Sequence, residues 1–443
     1  MTAETELPVE ERILQLLQHL GIQKAHFAAR DPGDWAGCAS KHPEVIASMS
    51  LVCPNSIDPD LLRALASRLL VFSGDGDRRS QTLIRAVESS PEATLVTFHE
   101  YVSPAWADTI ARFPVEVSSA LLEFLARDEK SDRAAALPMR QGEGEVAGIS
   151  YRIQGAGPPL LLFPLRLAKS QWEPILNSLS QSYCTITLGG AELGFVAVLE
   201  ARGRSPGYLR MVRTLVEEAE LRPGEAVLDV GCGSGVLDRW LTGQTGGANR
   251  IVGMDINPYL LQEAAALAKR ERLEGAIEFR EGNAEALPLP DNGFDVSMSV
   301  TVLEEGDADL MLRELVRVTR PGGRVAIVVR AVDIPLVVNV PLRAEPKAKL
   351  EAPGGTAEAR GCADASLYRR FHQVGLTHVK MLPQMALFAP PLGHMNQFLQ
   401  GWVLSKLNRE EQEEYRVAET QAVAEDAFFF AWPHHCAVGT KPG

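Results

Sequence analysis

The chain has 443 residues, 46% of them hydrophobic, more than one core comfortably serves, so two domains are expected. Its formal net charge of -13 opposes partners that need a basic face, which excludes nucleic acid and anionic membrane surfaces from the expected partners. Six scattered cysteines (Cys38, Cys53, Cys184, Cys232, Cys362, Cys436) without metal spacing, an acidic start without an apolar leader, and no run of membrane-spanning length predict a cytoplasmic protein with no metal site.

Taken in chain order, the first element is an amphipathic helix from Glu10 to Leu20, and an apolar strand from Ala47 to Cys53 comes next. Arg68 to Asp77 reads as a strand and turn, Ala93 to Phe98 as a strand, and Val115 to Ala126 as a helix. The alternation is that of an α/β sheet. It resembles the second half of an α/β-hydrolase, from the helix before the nucleophile strand onward, with Arg68 to Asp77 similar to the strand and turn that carry that family's acid. Ile149 to Pro164, Ser170 to Leu179 and Tyr183 to Leu188 resemble the same family's opening strands and first helix. The resemblance implies a permuted α/β-hydrolase-like sheet domain over residues 1–195, in pieces 1–130 and 145–195. The variant is that each piece completes a partner chain's sheet.

The chemistry of that family is disturbed here. A nucleophile elbow needs small neighbours around a strained turn, yet the aligned residues are Ala29-Arg30-Asp31-Pro32-Gly33. Asp31 stands where serine is usual, and an aspartate nucleophile still requires a histidine to activate water. The resemblance puts that histidine at about Val102, with His99 the nearest imidazole, and leaves Asp77 as the acid. The domain therefore reads as inactive: a scaffold, a homodimer contact, or a partner in holding the substrate of the second domain. The alternative is an Asp31-dependent hydrolase with a regulatory cofactor-binding domain.

The second half opens on Val227-Leu-Asp-Val-Gly-Cys-Gly-Ser-Gly235 and, about twenty residues on, Gly253-Met-Asp-Ile-Asn257. Glycines at alternate positions 231, 233 and 235 let the backbone turn tightly at a strand end and offer N–H groups to a ligand. A dinucleotide loop reads G-x-G-x-x-G and seats a pyrophosphate, whereas Asp229, inside this strand, repels an anion and suits a cationic amino group. Asp255 can accept ribose hydroxyls. Phe279 to Asp295 reads as a strand, a loop and a turn into a fourth strand, Val296 to Val302. Arg313 to Val329 reads as an amphipathic helix, a Pro-Gly-Gly break and a buried strand.

From about Tyr208 onward these motifs resemble the class I methyltransferases, particularly the ubiquinone/menaquinone-type small-molecule branch. The resemblance implies a Rossmann-like seven-stranded domain over residues 200–443, S-adenosylmethionine as cofactor and a small-molecule methyl acceptor. It implies Asp229, Gly231, Gly233 and Gly235 at the methionyl part, Asp255 and Ile256 at the ribose and adenine, Asn283 and Ala284 at the adenine edge, and Val300 among the cofactor contacts. Asn283 stands where the family usually has Asp. Glu304 follows the fourth strand where relatives often carry a histidine, so it and the adjacent Glu305 are candidates to face the acceptor, Glu304 being the chosen base; His394, in a loop from Pro390 to Asn396, is the second catalytic candidate. Asp295 reads as structural, Cys232 as loop filler, and His434 and His435 as parts of a closing strand. The Pro-rich stretch Val332 to Gly361 reads as a lid hinged at Gly354-Gly355. Neither the acceptor nor the atom methylated is legible.

Overall fold

Uninterrupted apolar runs such as Leu69 to Phe72 and Leu160 to Leu162 mark strands covered on both faces, as in parallel sheets. The computed structural model describes residues 7–30, 41–57, 59–102, 109–128, 135–191, 193–355 and 357–443. The chain divides into two units, Met1–Ala197 and Val198–Gly443, each an α/β layer structure around its own mixed sheet. Among the described residues no helix is long and apolar enough to cross a membrane, and no group of His, Cys, Asp and Glu could hold a metal ion.

The first unit contains β1 (Ala25–Ala29), β2 (Ile46–Val52), β3 (Leu69–Gly74), β4 (Thr94–Phe98), β5 (Gly142–Val146), β6 (Ile149–Gln154), β7 (Pro159–Leu162) and β8 (Cys184–Gly189). Their order across the sheet is β4-β3-β2-β1-β7-β8-β6-β5, and β6 runs antiparallel to both of its neighbours. The seam is the parallel pair β1–β7, with His26 beside Leu160, which joins segments more than a hundred residues apart. The helix expected from Glu10 is Val9–Leu20, stopped by Gly21 at φ +70°, and its Ile13, Leu16 and Leu17 pack on one sheet face. The other face carries Trp172, Leu121 and Leu125. Asp31 lies outside the described residues.

The second unit contains β9 (Ala226–Val230), β10 (Arg250–Asp255), β11 (Ile277–Glu281), β12 (Phe294–Val300), β13 (Thr319–Arg330), β14 (Val337–Val338), β15 (Thr377–Met381), β16 (Gln384–Phe388) and β17 (Phe430–Thr440). The main path is β11-β10-β9-β12-β13-β17-β14, with β15 and β16 also paired to β17. The first five strands are parallel, and β17 is inserted antiparallel beside β13. The chain leaves β9 toward β10 and β11, then returns to the opposite side of β9 as β12. That reversal opens a crevice at the carboxyl ends of β9 and β12, where open α/β sheets bind ligands.

One expectation is corrected. The stretch Val332 to Gly361 is no lid: it supplies β14, and Leu336, Val338, Val340 and Leu350 are buried in the same core as Tyr415 and Phe430. Its alternating apolar residues cover the end of β17, a demand that proline content alone conceals.

Candidate functional site

Two peptide N–H groups hold the glycine loop to its neighbouring strand: Gly231 and Cys232 both donate to the carbonyl of Met254. Gly231 has φ +80°, and a Cβ there would sit 2.1 Å from Val302 Cγ2. Gly235, at φ +70°, starts the helix Val236–Gln244 with Phe279 Cζ 2.7 Å from where a Cβ would lie. Only glycine satisfies both the backbone and the space at these two positions. Asp255, at the end of β10, braces the loop: Oδ2 accepts from Gly233 N at 2.8 Å and Oδ1 from Asn257 N at 2.9 Å. Each of its oxygens keeps a lone pair for a further donor.

The crevice beside the loop is open to solvent, with a cavity volume of about 40 Å³, and is lined by Leu199, Arg202, Tyr208, Asp229, Gly233 and Val300, among others. Asp229 is 3% exposed, and its Oδ1 has no hydrogen-bond partner among the described residues. Burial, then the charges of Asp238 and Asp255, push its pKa well above the usual carboxylate range. Arg202 comes from the helix Gly194–Arg204; its Nε is buried without a partner among the described residues, and its guanidinium lies 5.3 Å from the centre of the Tyr208 ring. That helix wall is clasped to the loop. Ser234 Oγ donates to Glu200 Oε1 at 2.6 Å, while buried Arg239 bonds both Glu200 Oε2 and the Ser234 carbonyl at 2.6 Å.

The remaining expected contacts lie along the tips of the strands. Val300 is buried in the crevice wall. Ile256 is 65% exposed just beyond Asp255. Gly282 N donates to the Asp255 backbone carbonyl, so Asn283 and Ala284 follow directly from the end of β10's neighbour; Asn283 is exposed, and its Oδ1 already accepts from Glu285 N at 2.9 Å. Glu304, past β12, is 1% exposed. Its Oε1 accepts from Arg330 N at 2.7 Å and Nε at 3.3 Å, whereas Oε2 has no partner among the described residues; burial raises its pKa. Glu305 is a surface ion pair with Arg330. His394 opens the helix His394–Lys406, and its side chain lies outside the described residues. Asp295 is structural as expected, accepting from Ala226 N and pairing with Arg320. Cys232 is buried in the loop.

In the first unit, the acid expected at Asp77 serves instead as a helix cap, accepting from Ser80 N at 2.7 Å. Asp75, two residues earlier, meets His99 Nδ1 at 3.1 Å, and its second oxygen accepts from Glu100 N. The two side chains sit at the ends of adjacent parallel strands β3 and β4. Sequence reasoning missed Asp75, Arg202 and Tyr208. The first differs from Asp77 only in which way the turn points, and the other two precede every recognisable motif.

Residues 228–327 match the model of the family described as "Methyltransferase domain". The chain therefore carries a methyltransferase domain of the S-adenosylmethionine-dependent class. It is 38% identical over 116 residues to the ubiquinone/menaquinone biosynthesis C-methyltransferase UbiE of Hahella chejuensis, covering 26% of this chain and 47% of that protein. It is 36% identical over 119 residues to the methyltransferase GfsG of Streptomyces halstedii, covering 27% and 42%. The chain thus spans less than half the length of these relatives. The crevice fits the cofactor of this class: an α-amino acid end carries one ammonium and one carboxylate, and Asp229 and Arg202 present one unpartnered buried group of each opposite sign.

Proposed function

We propose that the protein transfers a methyl group from S-adenosylmethionine to a small-molecule acceptor. The observation that carries this reading is the pair of unpartnered groups of opposite charge, Asp229 Oδ1 and Arg202 Nε, in one crevice at the switch point of the sheet. In it, Asp229 meets the ammonium and Arg202 the carboxylate of the methionyl end, Asp255 receives the ribose hydroxyls, and Ile256, Val300, Asn283 and Ala284 border the adenosine. When bound, the cofactor supplies a methyl carbon on a positively charged sulfur. The chain's own part is to fix the approach of the acceptor and to exclude water. Glu304, with one oxygen held by Arg330 and the other unpartnered, takes the acceptor's proton where the acceptor has one to lose. Four buried free thiols, Cys184, Cys232, Cys362 and Cys436, suit a reducing, cytoplasmic setting. The test is a calorimetric titration: S-adenosylmethionine should bind, and Asp255→Ala should weaken it at least tenfold. No binding, or binding untouched by that change, removes the proposal.

For the first unit we propose a single permuted α/β-hydrolase-like domain without a catalytic duty. The support is the β1–β7 seam within one chain, which argues against each half completing a partner's sheet. The Asp75–His99 pair favours a second reading, a hydrolase with Asp31 as nucleophile, because it joins the nearest imidazole to a carboxylate where Asp77 serves as a helix cap. Panels of esters and haloalkanes decide between them: turnover that disappears in both Asp31→Asn and His99→Ala supports the hydrolase.

A further inference from the structure

β17 crosses the second unit with alternating sides, so Phe430, Trp432 and His434 share one face. His434 is cross-strand partner to Arg330, whose peptide N–H holds Glu304. Its ring meets the ring of crevice-lining Tyr208 edge-on at 6.1 Å and 82°. On the other side, Trp432 packs against Phe430 at 5.4 Å and against Trp402, from the helix His394–Lys406, at 5.9 Å. Trp402 and Trp432 are half-buried, so this wall is not sealed into the core. A ring contact therefore leads from crevice-lining Tyr208 to His434, and the indole cluster of Trp432 and Trp402 lies further along the same face of β17.

His434 is fixed in one tautomer. Its Nδ1 is 3.0 Å from the carbonyl of Trp432, and because a carbonyl can only accept, Nδ1 carries the hydrogen. Nε2 is left with its lone pair and makes no hydrogen bond to any described residue, although the residue is only 4% exposed. Burial, partly offset by the hydrogen bond to the Trp432 carbonyl and reinforced by the positive charges of Arg202 and Arg330, lowers the imidazole's pKa to about 3, so the ring stays neutral and accepting at any working pH.

We propose that His434 is the residue that positions the methyl acceptor: Nε2 accepts a hydrogen bond from an O–H or N–H of an uncharged molecule whose apolar body lies on Trp432 and Trp402. This rests on the methyltransferase reading and deepens it, by adding a contact on β17 to Glu304 on the loop after β12. His434 acts here by orientation and keeps its proton count unchanged. A cationic acceptor is disfavoured, since Arg202 and Arg330 lie within electrostatic reach of the imidazole.

The experiment uses the full chain saturated with S-adenosylhomocysteine and two probes of equal shape, indole and 1-methylindole, of which only the first has an N–H to donate. Binding is read by calorimetry, and the state of His434 by the side-chain nitrogen resonances of histidine-labelled protein. Wild type should bind indole at least fivefold tighter than 1-methylindole, about the worth of one hydrogen bond, with the Nε2 resonance moving on indole addition alone. His434→Phe should erase the preference, and His434→Gln, which keeps an acceptor oxygen near the Nε2 position, should retain most of it. Equal binding of the two probes, failure of both to bind, or a preference that survives His434→Phe overturns the inference, and the wild-type comparison decides even if a variant does not fold. Failure of the chain to bind S-adenosylhomocysteine or S-adenosylmethionine at all is a separate result, which removes the methyltransferase reading itself.

Discussion

Replacing Asp229 with Asn keeps the shape of the side chain and removes its charge. In the free protein the carboxyl is 3% exposed and burial raises its pKa well above the usual range, which works against its charged form. The amide should therefore change folding stability little. A cationic amino group entering the crevice reverses the preference: the carboxylate ionises and pairs with the ammonium away from water, at an oxygen that has no competing partner. Removing one member of such a desolvated pair costs about 2–5 kcal/mol, or about 30- to 5000-fold in Kd. Calorimetry with S-adenosylmethionine and with 5′-methylthioadenosine, which keeps the nucleoside and lacks the amino acid, separates this effect from damage to the site. Asp229→Asn should weaken the first by that factor and leave the second within about twofold. Equal losses for both ligands, or no loss for either, would refute the assignment of Asp229 to the amino group.

Three further outcomes are expected. Gly231→Ala puts a Cβ 2.1 Å from Val302 Cγ2 at φ +80°, strain of about 1–2 kcal/mol from the backbone alone; a lower melting temperature should result, and an unchanged one would mean that the loop is not tight. Glu200→Ala strips buried Arg239 of a carboxylate and frees Ser234, which should cost about 3 kcal/mol in denaturant unfolding, the low end for a buried pair because Glu271 also reaches Arg239; a loss under about 1 kcal/mol counts against the clasp. Asp238, buried beneath the glycine loop, has its pKa raised to about 7, chiefly by burial with Arg239 partly offsetting it. The folded state thus holds a proton that the unfolded chain releases near pH 4, so stability should fall as pH rises from about 4 to about 7 and level off above. Asp238→Asn should flatten that slope, and a slope identical in wild type and variant would show that the proton sits elsewhere.

The glycine loop was legible because its chemistry is local: alternate glycines, an acid inside one strand and an acid closing the next all lie within thirty residues. Asp229 and Asp255 followed from that spacing, although the role of Asp255 in bracing Gly233 depends on how the loop folds back. Arg202, Tyr208 and His434 were not legible as a set. They come from two helices before the sheet and from its last strand, and only the antiparallel insertion of β17 brings His434 beside Tyr208. The choice between Asp75 and Asp77 turned on a bend that no periodicity encodes. The stretch after β13 misled for the opposite reason, since its prolines look like a loop while its alternate apolar residues fill a core.

The position of β17 has a consequence for how the second unit comes into being. Residues 430–440 are paired on one side with β13 and β14 and on the other with β15 and β16, so a strand that follows all its partners in chain order occupies the interior of the finished sheet. Until those residues emerge, β13 presents an open edge and the aromatic wall has no floor. The sheet of this half therefore closes only when β17 is inserted among strands made before it, and the face that carries His434 exists only once that step is complete.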